Sequence, residues 1–352
     1  MRVRSKIPLA AAAWLVLLSG LHGYLNVNWG AILNDYRPPN QRKVTVAYIP
    51  VTCQLTCPVT DYISRYSEDG EIFLPRLFQG FPEIKEALIA NKVQAAFIVA
   101  PLAIALASQG VPIKVVYLGH RYGSALVVRN SGPVHSVADL KGRTVAIPSR
   151  FSDERLILFR AMKVAGLNPG DIRMVEMAPP DVSGALAAGA IDGFSMGEPF
   201  PSQAEMGGYG RVLFQARDYW PDYMSCILVV RQDLIDQRPE VVQTLVDGIA
   251  RSGLWLDQGR PQREDAADFV GRFYYDQKPA LLRWALTKPM DRVTYSPLAP
   301  RKPDFDLVGD LMIETGVLTK KMEFADYADT RFSDGASIQT AWKYKPGTAM
   351  EK

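Results

Sequence analysis

Runs of apolar residues with two different spacings alternate along most of the chain. Short β-branched or fully apolar runs bounded by Pro or Gly are typical of buried strands, and apolar positions three or four residues apart are typical of helices. The patterns predict strands over 44–49, 72–78, 95–99, 113–118, 124–129, 144–147, 172–177 and 226–231, and helices over 59–66, 102–108, 153–165, 240–257, 264–273, 279–287 and 304–314. This order predicts an α/β fold with parallel sheets covered by helices on both faces.

One pattern occurs twice. The segment 180–199, PDVSGALAAGAIDGFSMGEP, aligns without a gap to the segment 82–101, PEIKEALIANKVQAAFIVAP. Both begin with Pro, an acid and a β-branched residue, and both end at Pro. A proline and an acid suit the start of a helix, and an X-Pro pair ends a strand abruptly. A helix-to-strand unit used twice predicts two similar lobes.

Two related strands mark where the lobes meet. SALVVR at 124–129 resembles CILVVR at 226–231. We predict that lobe 1 comprises residues 41–124 and 226–343, that lobe 2 comprises residues 125–225, and that the two crossovers permit hinge motion. Residues 344–352 contain few apolar side chains and are predicted to form a mobile tail.

The N-terminus differs from the rest. A chain of 352 residues is long enough for two domains. Its first residues, MRVRSK, are basic, and the apolar run 7–18 follows, as in an export signal. That run is shorter than the roughly 20 residues of a spanning helix, although its continuation to Leu25 would allow an uncleaved anchor. Residues 1–40 are therefore predicted to be an export signal or an N-terminal anchor plus a linker, giving a periplasmic protein that is released or tethered to the inner membrane.

Charge and motifs exclude several functions. Forty Lys and Arg against 37 Asp and Glu give a net charge of +3, and no basic run follows the N-terminus, so no nucleic-acid partner is predicted. The sequence has no G-x-S-x-G, H-E-x-x-H or phosphate-binding loop, and only three histidines. We predict that the protein is not an enzyme and needs no cofactor.

Three cysteines, Cys53, Cys57 and Cys226, leave several arrangements open. In an oxidising compartment one pair can form a disulfide while one thiol remains. Packing and a soft-metal site with Cys226 are the alternatives for Cys53 and Cys57. Because the sequence contains no C-x-x-C pair and no flanking histidine, no metal site is predicted.

Five segments in order resemble one family. They are DLKGRTVAIP at 139–148, the helix ending KVAGLNP, ALAAGAIDGFSMGEPF, GRVL at 210–213, and LVVRQDLIDQRPEVV. Over roughly residues 40–335 the chain resembles the nitrate/sulfonate/taurine-type (NitT/TauT) substrate-binding proteins of ABC importers. The resemblance implies a two-lobed type II periplasmic-binding-protein fold with two interlobe crossovers. It also implies a small-molecule ligand that is delivered to an ABC permease and its ATPase.

The ligand cleft is expected at the carboxyl ends of the strands, where loops and helix N-termini present N–H groups. Two facing lobes would place six loops around one cleft, at 52–56, 100–101, 119–122, 149–152, 196–200 and 223–225. The candidate ligand-binding residues in these loops are Thr52, Cys53, Gln54, Ala100, Pro101, Arg121, Ser149, Arg150, Phe151, Ser152, Glu198, Phe200 and Tyr223.

Each polar candidate has two interpretations. Ser149 and Ser152 precede a helix, so they either cap it or contact the ligand. Arg121 and Arg150 either grip an anion bidentately or lie in solvent. Glu198 needs a partner if it is buried, which is either an amine or other donor on the ligand or an arginine within the protein.

The aromatic candidates are similarly ambiguous. Phe151 and Phe200 either form a wall of the cleft or belong to the core. His120 lies in one of the six loops and is interpreted as a packed or exposed histidine rather than a ligand contact.

The sequence supports binding of a small solute without chemistry. Oxyanions such as nitrate, bicarbonate or a sulfonate, and small nitrogen compounds, both remain open as ligands. One alternative is a membrane-tethered ligand sensor of the same fold. Another is an enzyme similar to the thiamine-pyrimidine synthases, although the cysteine-rich iron motif of those proteins is missing here.

Overall fold

The computed structural model describes residues 6–27, 29–38, 41–68, 70–334 and 340–347. The chain forms two compact units, Met1–Lys43 and Val44–Lys352. The first unit contains two helices, α1 (Lys6–Asn26) and α2 (Trp29–Asp35). Side chains from Trp14 to Leu18 are all more than half exposed, so α1 is apolar around its circumference. Within the described part of the chain, no helix combines the length and apolar content needed to cross a membrane. The export signal or anchor stays a prediction.

The second unit begins with strands and helices in alternation. Their bounds lie within a few residues of those that the apolar spacing predicts. In chain order they are β1 (Thr45–Tyr48), α3 (Thr56–Arg65), β2 (Leu74–Leu77), α4 (Phe81–Ile89), β3 (Ala95–Val99), α5 (Ala100–Ser108) and β4 (Ile113–Leu118).

The middle of the chain adds a second set of strands. The short elements α8, α9 and β10 were not predicted from the apolar pattern. The set comprises β5 (Arg121–Tyr122), β6 (Ser124–Arg129), β7 (Thr144–Ile147), α6 (Asp153–Val164), β8 (Arg173–Glu176), α7 (Val182–Ala187), β9 (Gly193–Gly197), α8 (Phe200–Met206), β10 (Gly210–Gln215) and α9 (Ala216–Tyr219).

The last part of the chain is mainly helical. It comprises β11 (Cys226–Arg231), α10 (Gln232–Gln237), α11 (Pro239–Leu256), α12 (Arg260–Val270), α13 (Pro279–Thr287), β12 (Val293–Thr294), α14 (Lys302–Glu314) and α15 (Phe324–Tyr327). In α11 the buried residues Val242, Leu245, Val246 and Ile249 share one face, the 3.6-residue period of an amphipathic helix.

The first sheet has the strand order β2-β1-β3-β11-β4. β1 is parallel to β2 and β3, whereas β11 is antiparallel to both β3 and β4. The prediction of a wholly parallel sheet is therefore wrong. The physical reason is that β11 enters between β3 and β4 in the opposite direction, so that β4 hydrogen-bonds to β11.

The second sheet has the order β10-β6-β9-β7-β8 and repeats this arrangement. β7 is parallel to β8 and β9, and β6 is antiparallel to β9 and β10. β6 in the second sheet and β11 in the first thus hold equivalent positions, each beside one copy of the repeated strand. Their shared LVVR sequence fits these equivalent surroundings. The predicted lobe boundaries and the hinge motion remain predictions.

The repeated segment has the same role in both sheets. Its helix and strand are α4 and β3 in the first copy and α7 and β9 in the second. The apolar positions that match in the alignment are buried to 3% exposure or less in both copies. These pairs are Ile84 and Val182, Leu88 and Leu186, and Val93 and Ile191.

One helix packs on both parts of the second unit. α14 contacts α5, which follows β3, and α6, which follows β7. Lys163 in α6 forms an ion pair with Glu314 at 2.6 Å, and Arg155 donates a hydrogen bond to the Thr315 carbonyl at 3.3 Å. The helix therefore connects the regions that carry the two sheets.

The beginning of the predicted mobile tail is packed. Trp255 Nε1 donates a hydrogen bond to the Tyr344 carbonyl at 2.9 Å, and the Tyr344 ring lies edge-on to Trp255 and Tyr62. Its ring thus belongs to an aromatic cluster, and the mobility of residues 344–352 stays a prediction. Residues 348–352 lie outside the described residues.

Candidate functional site

Two adjacent carboxyl groups, those of Asp153 and Glu154, lie buried at the start of α6. The loop after β7 leads into this helix, and Ser152 caps it by accepting a hydrogen bond from the Arg155 N–H at 3.2 Å. Acidic side chains at a helix start usually remain in water, where the helix dipole favours them. Here Asp153 is 0% and Glu154 4% exposed. Both groups have therefore lost their hydration.

The Asp153 carboxyl lies between two helix starts. The N–H groups of Ala100, the first residue of α5, and of Asp153 itself both act to lower its pKa. Neither makes a hydrogen bond of normal geometry, and among the residues described here both carboxyl oxygens of Asp153 lack a partner. An uncompensated carboxyl in such a place is energetically costly.

Glu154 is the end of a short hydrogen-bonded chain. The Tyr223 hydroxyl donates to Ser124 Oγ at 3.1 Å, and Ser124 Oγ donates to Glu154 Oε1 at 3.1 Å. The other carboxyl oxygen, Oε2, has no partner within the described ranges. Gly197 faces the same space, because a Cβ placed on it would lie 3.8 Å from both Glu154 Oε1 and Ser124 Oγ.

Burial dominates the electrostatics of these groups. It raises the pKa of Asp153 well above its usual range, and the neighbouring Glu154 carboxyl raises that pKa further. Burial also raises the pKa of Glu154, against the opposing effects of its own N–H group and of the Ser124 and Ser152 hydroxyls. In the part of the chain that the structure describes, no lysine or arginine forms an ion pair with either carboxyl. Strongly shifted pKa values without an internal partner are typical of functional sites.

A second group of polar side chains adjoins this one. His120 Nε2 lies 3.3 Å from Thr52 Oγ1, and the Ser225 N–H donates to the His120 carbonyl at 3.2 Å. Burial lowers the pKa of His120 to about 3, so the ring is neutral. The described residues provide no partner for His120 Nδ1 or for Ser225 Oγ. Because Ser225 follows Tyr223 by two residues, one segment connects the two groups.

The donor set does not suit a metal ion. Over the described residues, no group of three or more His, Cys, Asp or Glu side chains is placed to hold one. Asp153 and Glu154 alone supply fewer protein ligands than a zinc site needs.

Several predicted site residues lie at these groups. Thr52, Ala100 and Tyr223 are in contact with them as described above. Ser152 caps α6, and Ser149 Oγ accepts a hydrogen bond from the Phe151 N–H at 3.1 Å, so both serines shape the loop before Asp153.

The two predicted arginines are engaged elsewhere. Arg121 forms an ion pair with Asp304 at 2.6 Å and donates to the Asp222 carbonyl at 2.9 Å. Arg150 is exposed, and its guanidinium lies 4.9 Å from the centre of the Phe151 ring. Their assignment as anion ligands stays a prediction.

The first cleft loop is held by a disulfide. Cys53 bonds to Cys226, 173 residues later, with a Cα–Cα distance of 5.5 Å, and Cys57 is a buried free thiol. Of the arrangements that the sequence left open, the structure has the one with a single disulfide and one remaining thiol. Gln54 also braces the loop, since its side chain accepts from the Ile49 N–H at 2.6 Å and donates to Cys226 Sγ at 3.4 Å.

Glu198 has an arginine partner within the protein. Its carboxylate pairs with Arg292 and accepts a hydrogen bond from the Ser202 N–H at 3.1 Å, while its carbonyl accepts from the Thr52 N–H at 2.8 Å. Of the two partners considered from the sequence, the internal arginine is the one observed. Phe200 and Pro101 are buried next to helix starts.

Sequence reasoning missed Asp153, Glu154 and Ser124 as site residues. Asp153 and Glu154 directly follow the predicted loop 149–152, and this position is the signal that could have identified them as site residues. Their burial depends on the approach of α5 and is not visible in the local sequence. His120 is buried, which is one of the two arrangements considered from the sequence, and its Nδ1 lacks a partner among the described residues.

Comparison with known proteins now decides the family. The profile of the NMT1-like family matches residues 37–271. The chain belongs to the NMT1-like family. It is 31% identical over 202 residues to the taurine-binding periplasmic protein of Escherichia coli, a match that covers 54% of this chain and 62% of that protein. The match thus spans less than two thirds of the relative's length.

Solved structures show that the fold is shared. The ligand-binding component of an ABC-type import system from Staphylococcus aureus, solved with zinc bound, has a TM-score of 0.75 and 23% identity, covering 84% of this chain and 99% of that one. The desulfurization enzyme DSZB has a TM-score of 0.60 and 15% identity, covering 83% and 97%. The first likeness confirms the two-lobed periplasmic-binding-protein fold that the sequence resemblance implied. At these identities the comparisons show the fold alone.

Proposed function

We propose that the protein is an extracytoplasmic solute-binding protein that closes on a small solute and delivers it to an ABC importer. The observation that carries the proposal is the set of buried polar atoms without partners at Asp153, Glu154, His120 and Ser225, among the described residues. They come from loops of both sheets. A solute that bound between the sheets would supply the missing partners. Membership in the NMT1-like family and the taurine-binding relative support this function.

We further propose that the solute is released unchanged, although DSZB shows that an enzyme can share this fold. Burial raises the pKa of the Cys57 thiol well above its usual range, so the thiol is a poor nucleophile. The neutral His120, with its pKa lowered to about 3, is poorly suited to general base catalysis near pH 7. Mass spectrometry of the solute after incubation with the protein tests this point. Conversion of the solute would contradict it.

The proposal includes export and a membrane partner. The basic start, the apolar run 7–18 and the periplasmic relative favour export of the protein, either released or tethered. Cell fractionation with N-terminal sequencing separates the two forms. Export is contradicted if the whole chain remains in the cytoplasm.

A solute screen tests binding directly. The panel contains nitrate, bicarbonate, alkylsulfonates, taurine, small amines and thiamine pyrimidines. A solute at 100 times its Kd stabilises the folded state by about 2.7 kcal/mol, so its presence raises Tm. Small-angle X-ray scattering with the same solute should show a more compact particle. If no solute of any charge changes Tm or the scattering, the binding function is wrong.

A further inference from the structure

The buried carboxyl groups determine which charge the site accepts. Asp153 offers two carboxyl oxygens and Glu154 one, all three without partners within the described chain. A buried carboxyl becomes favourable when a cation joins it. Arg155, the residue after Glu154, directs one guanidinium nitrogen to the Thr315 carbonyl at 3.3 Å, towards α14. The nearest arginine in sequence thus leaves the carboxyl groups without a counter-charge.

The position of Asp153 also disfavours an anionic solute. Starts of helices are places where anions bind, because unpaired N–H groups and the helix dipole favour negative charge. At the starts of α5 and α6 this place is taken by the Asp153 carboxyl, which faces Ala100 and its own N–H. A sulfonate or nitrate placed there would compete with the Asp153 carboxyl for the same N–H groups, and it would be repelled by any ionised carboxylate beside it. Like charges in a buried site repel strongly.

The number and type of the acceptors fit a nitrogen cation. An ammonium group has three N–H donors, which matches the three free carboxyl oxygens. An amidinium group presents two parallel N–H groups to a single carboxylate. A metal ion is a poorer fit, since the described residues hold no cluster of three suitable side chains.

We propose that the solute carries an ammonium or amidinium group, which Asp153 and Glu154 bind between the starts of α5 and α6. This inference rests on the proposed function and specifies the class of solute. Ser124 and Tyr223 orient Glu154 through their hydrogen bonds at 3.1 Å each. The rest of the solute can be of any chemistry that the neighbouring His120 and Ser225 accept.

Probe pairs of opposite charge test the inference on the full chain. The pairs are acetamidinium with acetate, which are isosteric, and ethylammonium with ethanesulfonate, which share the ethyl group, titrated by saturation-transfer NMR and by thermal shift. We expect the two cations to bind and the two anions not to bind. Asp153→Asn and Glu154→Gln should each weaken cation binding by roughly 10- to 100-fold, the loss expected for a charged hydrogen-bond partner.

Asp181→Asn is the matched control. Asp181 is an exposed aspartate at the start of α7 in the same part of the chain, and its side chain makes no capping hydrogen bond. This variant should bind the cations as the wild type does. Circular dichroism of all three variants confirms folding.

The possible results separate this inference from the proposed function. Anions that bind as tightly as their paired cations, or a protein that binds no nitrogen cation, overturn the inference. If the broad solute screen nevertheless finds a ligand, the binding function stands and only the charge assignment fails. If the screen also finds none, both fail. Unchanged cation binding by Asp153→Asn and Glu154→Gln would likewise overturn the assignment.

Discussion

Glu198 and Arg292 form a buried ion pair between the end of β9 and the turn before β12, although they lie 94 residues apart in the chain. Arg292 also donates to Ser202 Oγ at 3.1 Å and contacts Glu205 at 3.2 Å. Burial raises the pKa of Glu198, and the guanidinium opposes that rise. The pair holds the loop after β9 in place.

Removal of the arginine alone should therefore destabilise the protein. Arg292→Met leaves the Glu198 carboxylate buried without its cation, and such a change typically costs about 3–5 kcal/mol. Urea denaturation of the single variants and of the double variant Glu198→Gln/Arg292→Met measures the coupling. The double variant should recover part of the loss, because no isolated charge remains. Additive losses in the two single variants would contradict the pair.

Asp153→Asn should stabilise the protein in the absence of solute. Because the pKa of Asp153 is raised in the folded state, the folded protein retains a proton that the unfolded chain loses, and stability falls as pH rises above about 4. The amide removes this cost. We expect a gain of about 0.5–2 kcal/mol at pH 8 and little gain near pH 4, measured by thermal unfolding at each pH. A loss of stability at pH 8 would show that Asp153 stabilises the unliganded fold.

Two glycines near the site should respond differently to alanine. A Cβ at Gly119 would collide with the Cys53 carbonyl oxygen, whereas one at Gly197 would make ordinary contacts at 3.8 Å. Gly119→Ala should cost roughly 1–3 kcal/mol through overpacking. Gly197→Ala should keep nearly normal stability but weaken solute binding, because the methyl group fills space beside Glu154. Equal Tm values for the two variants would contradict this difference.

The cysteines should give a simple thiol count. The sequence contains three cysteines, and one disulfide joins Cys53 to Cys226. Protein purified without reductant should therefore react with one equivalent of thiol reagent in denaturant, and with three after reduction. Loss of the disulfide in Cys226→Ser should cost about 2–5 kcal/mol. Three reactive thiols without reductant would contradict the bond.

His120 should remain neutral where free histidine titrates. Its folded pKa of about 3 lies below the ordinary value near 6.5, so the unfolded chain binds a proton first as pH falls. Stability from this residue is complete above about pH 6.5 and declines as pH falls towards about 3. The ring proton signals of His120 in NMR should not shift between pH 8 and about 5. A midpoint near 6.5 would contradict its burial.

The local apolar pattern was sufficient to predict the bounds of most strands and the presence of the repeated helix-to-strand unit. β3, β4, β6, β7 and β11 match the predicted bounds, because each is a compact apolar run with a clear end. The direction of β11 could not be predicted in this way. The direction depends on the pairing of β11 with β3 and β4, which can form only after the chain has passed through the second sheet.

The candidate site was predicted only in part for a similar reason. The loops containing Thr52, Ala100 and Tyr223 were selected from the sequence, and these residues lie beside the buried polar groups. Their role in binding stays a prediction. The burial of Asp153 depends on α5, more than 40 positions earlier in the chain. The partner of Glu198 depends on residues 289–303, a proline-rich segment that carries Arg292. Contacts between distant segments have no local signal.

The place of β11 in the first sheet has a consequence for biosynthesis. All five strands of the second sheet lie between Ser124 and Gln215, so that sheet can assemble as soon as this stretch is synthesised. The first sheet requires β11 between β3 and β4 and cannot be completed until residue 231 is available. Pairing of such distant strands is slow. During synthesis the N-terminal strands therefore keep unpaired edges, which are prone to aggregation until β11 is available.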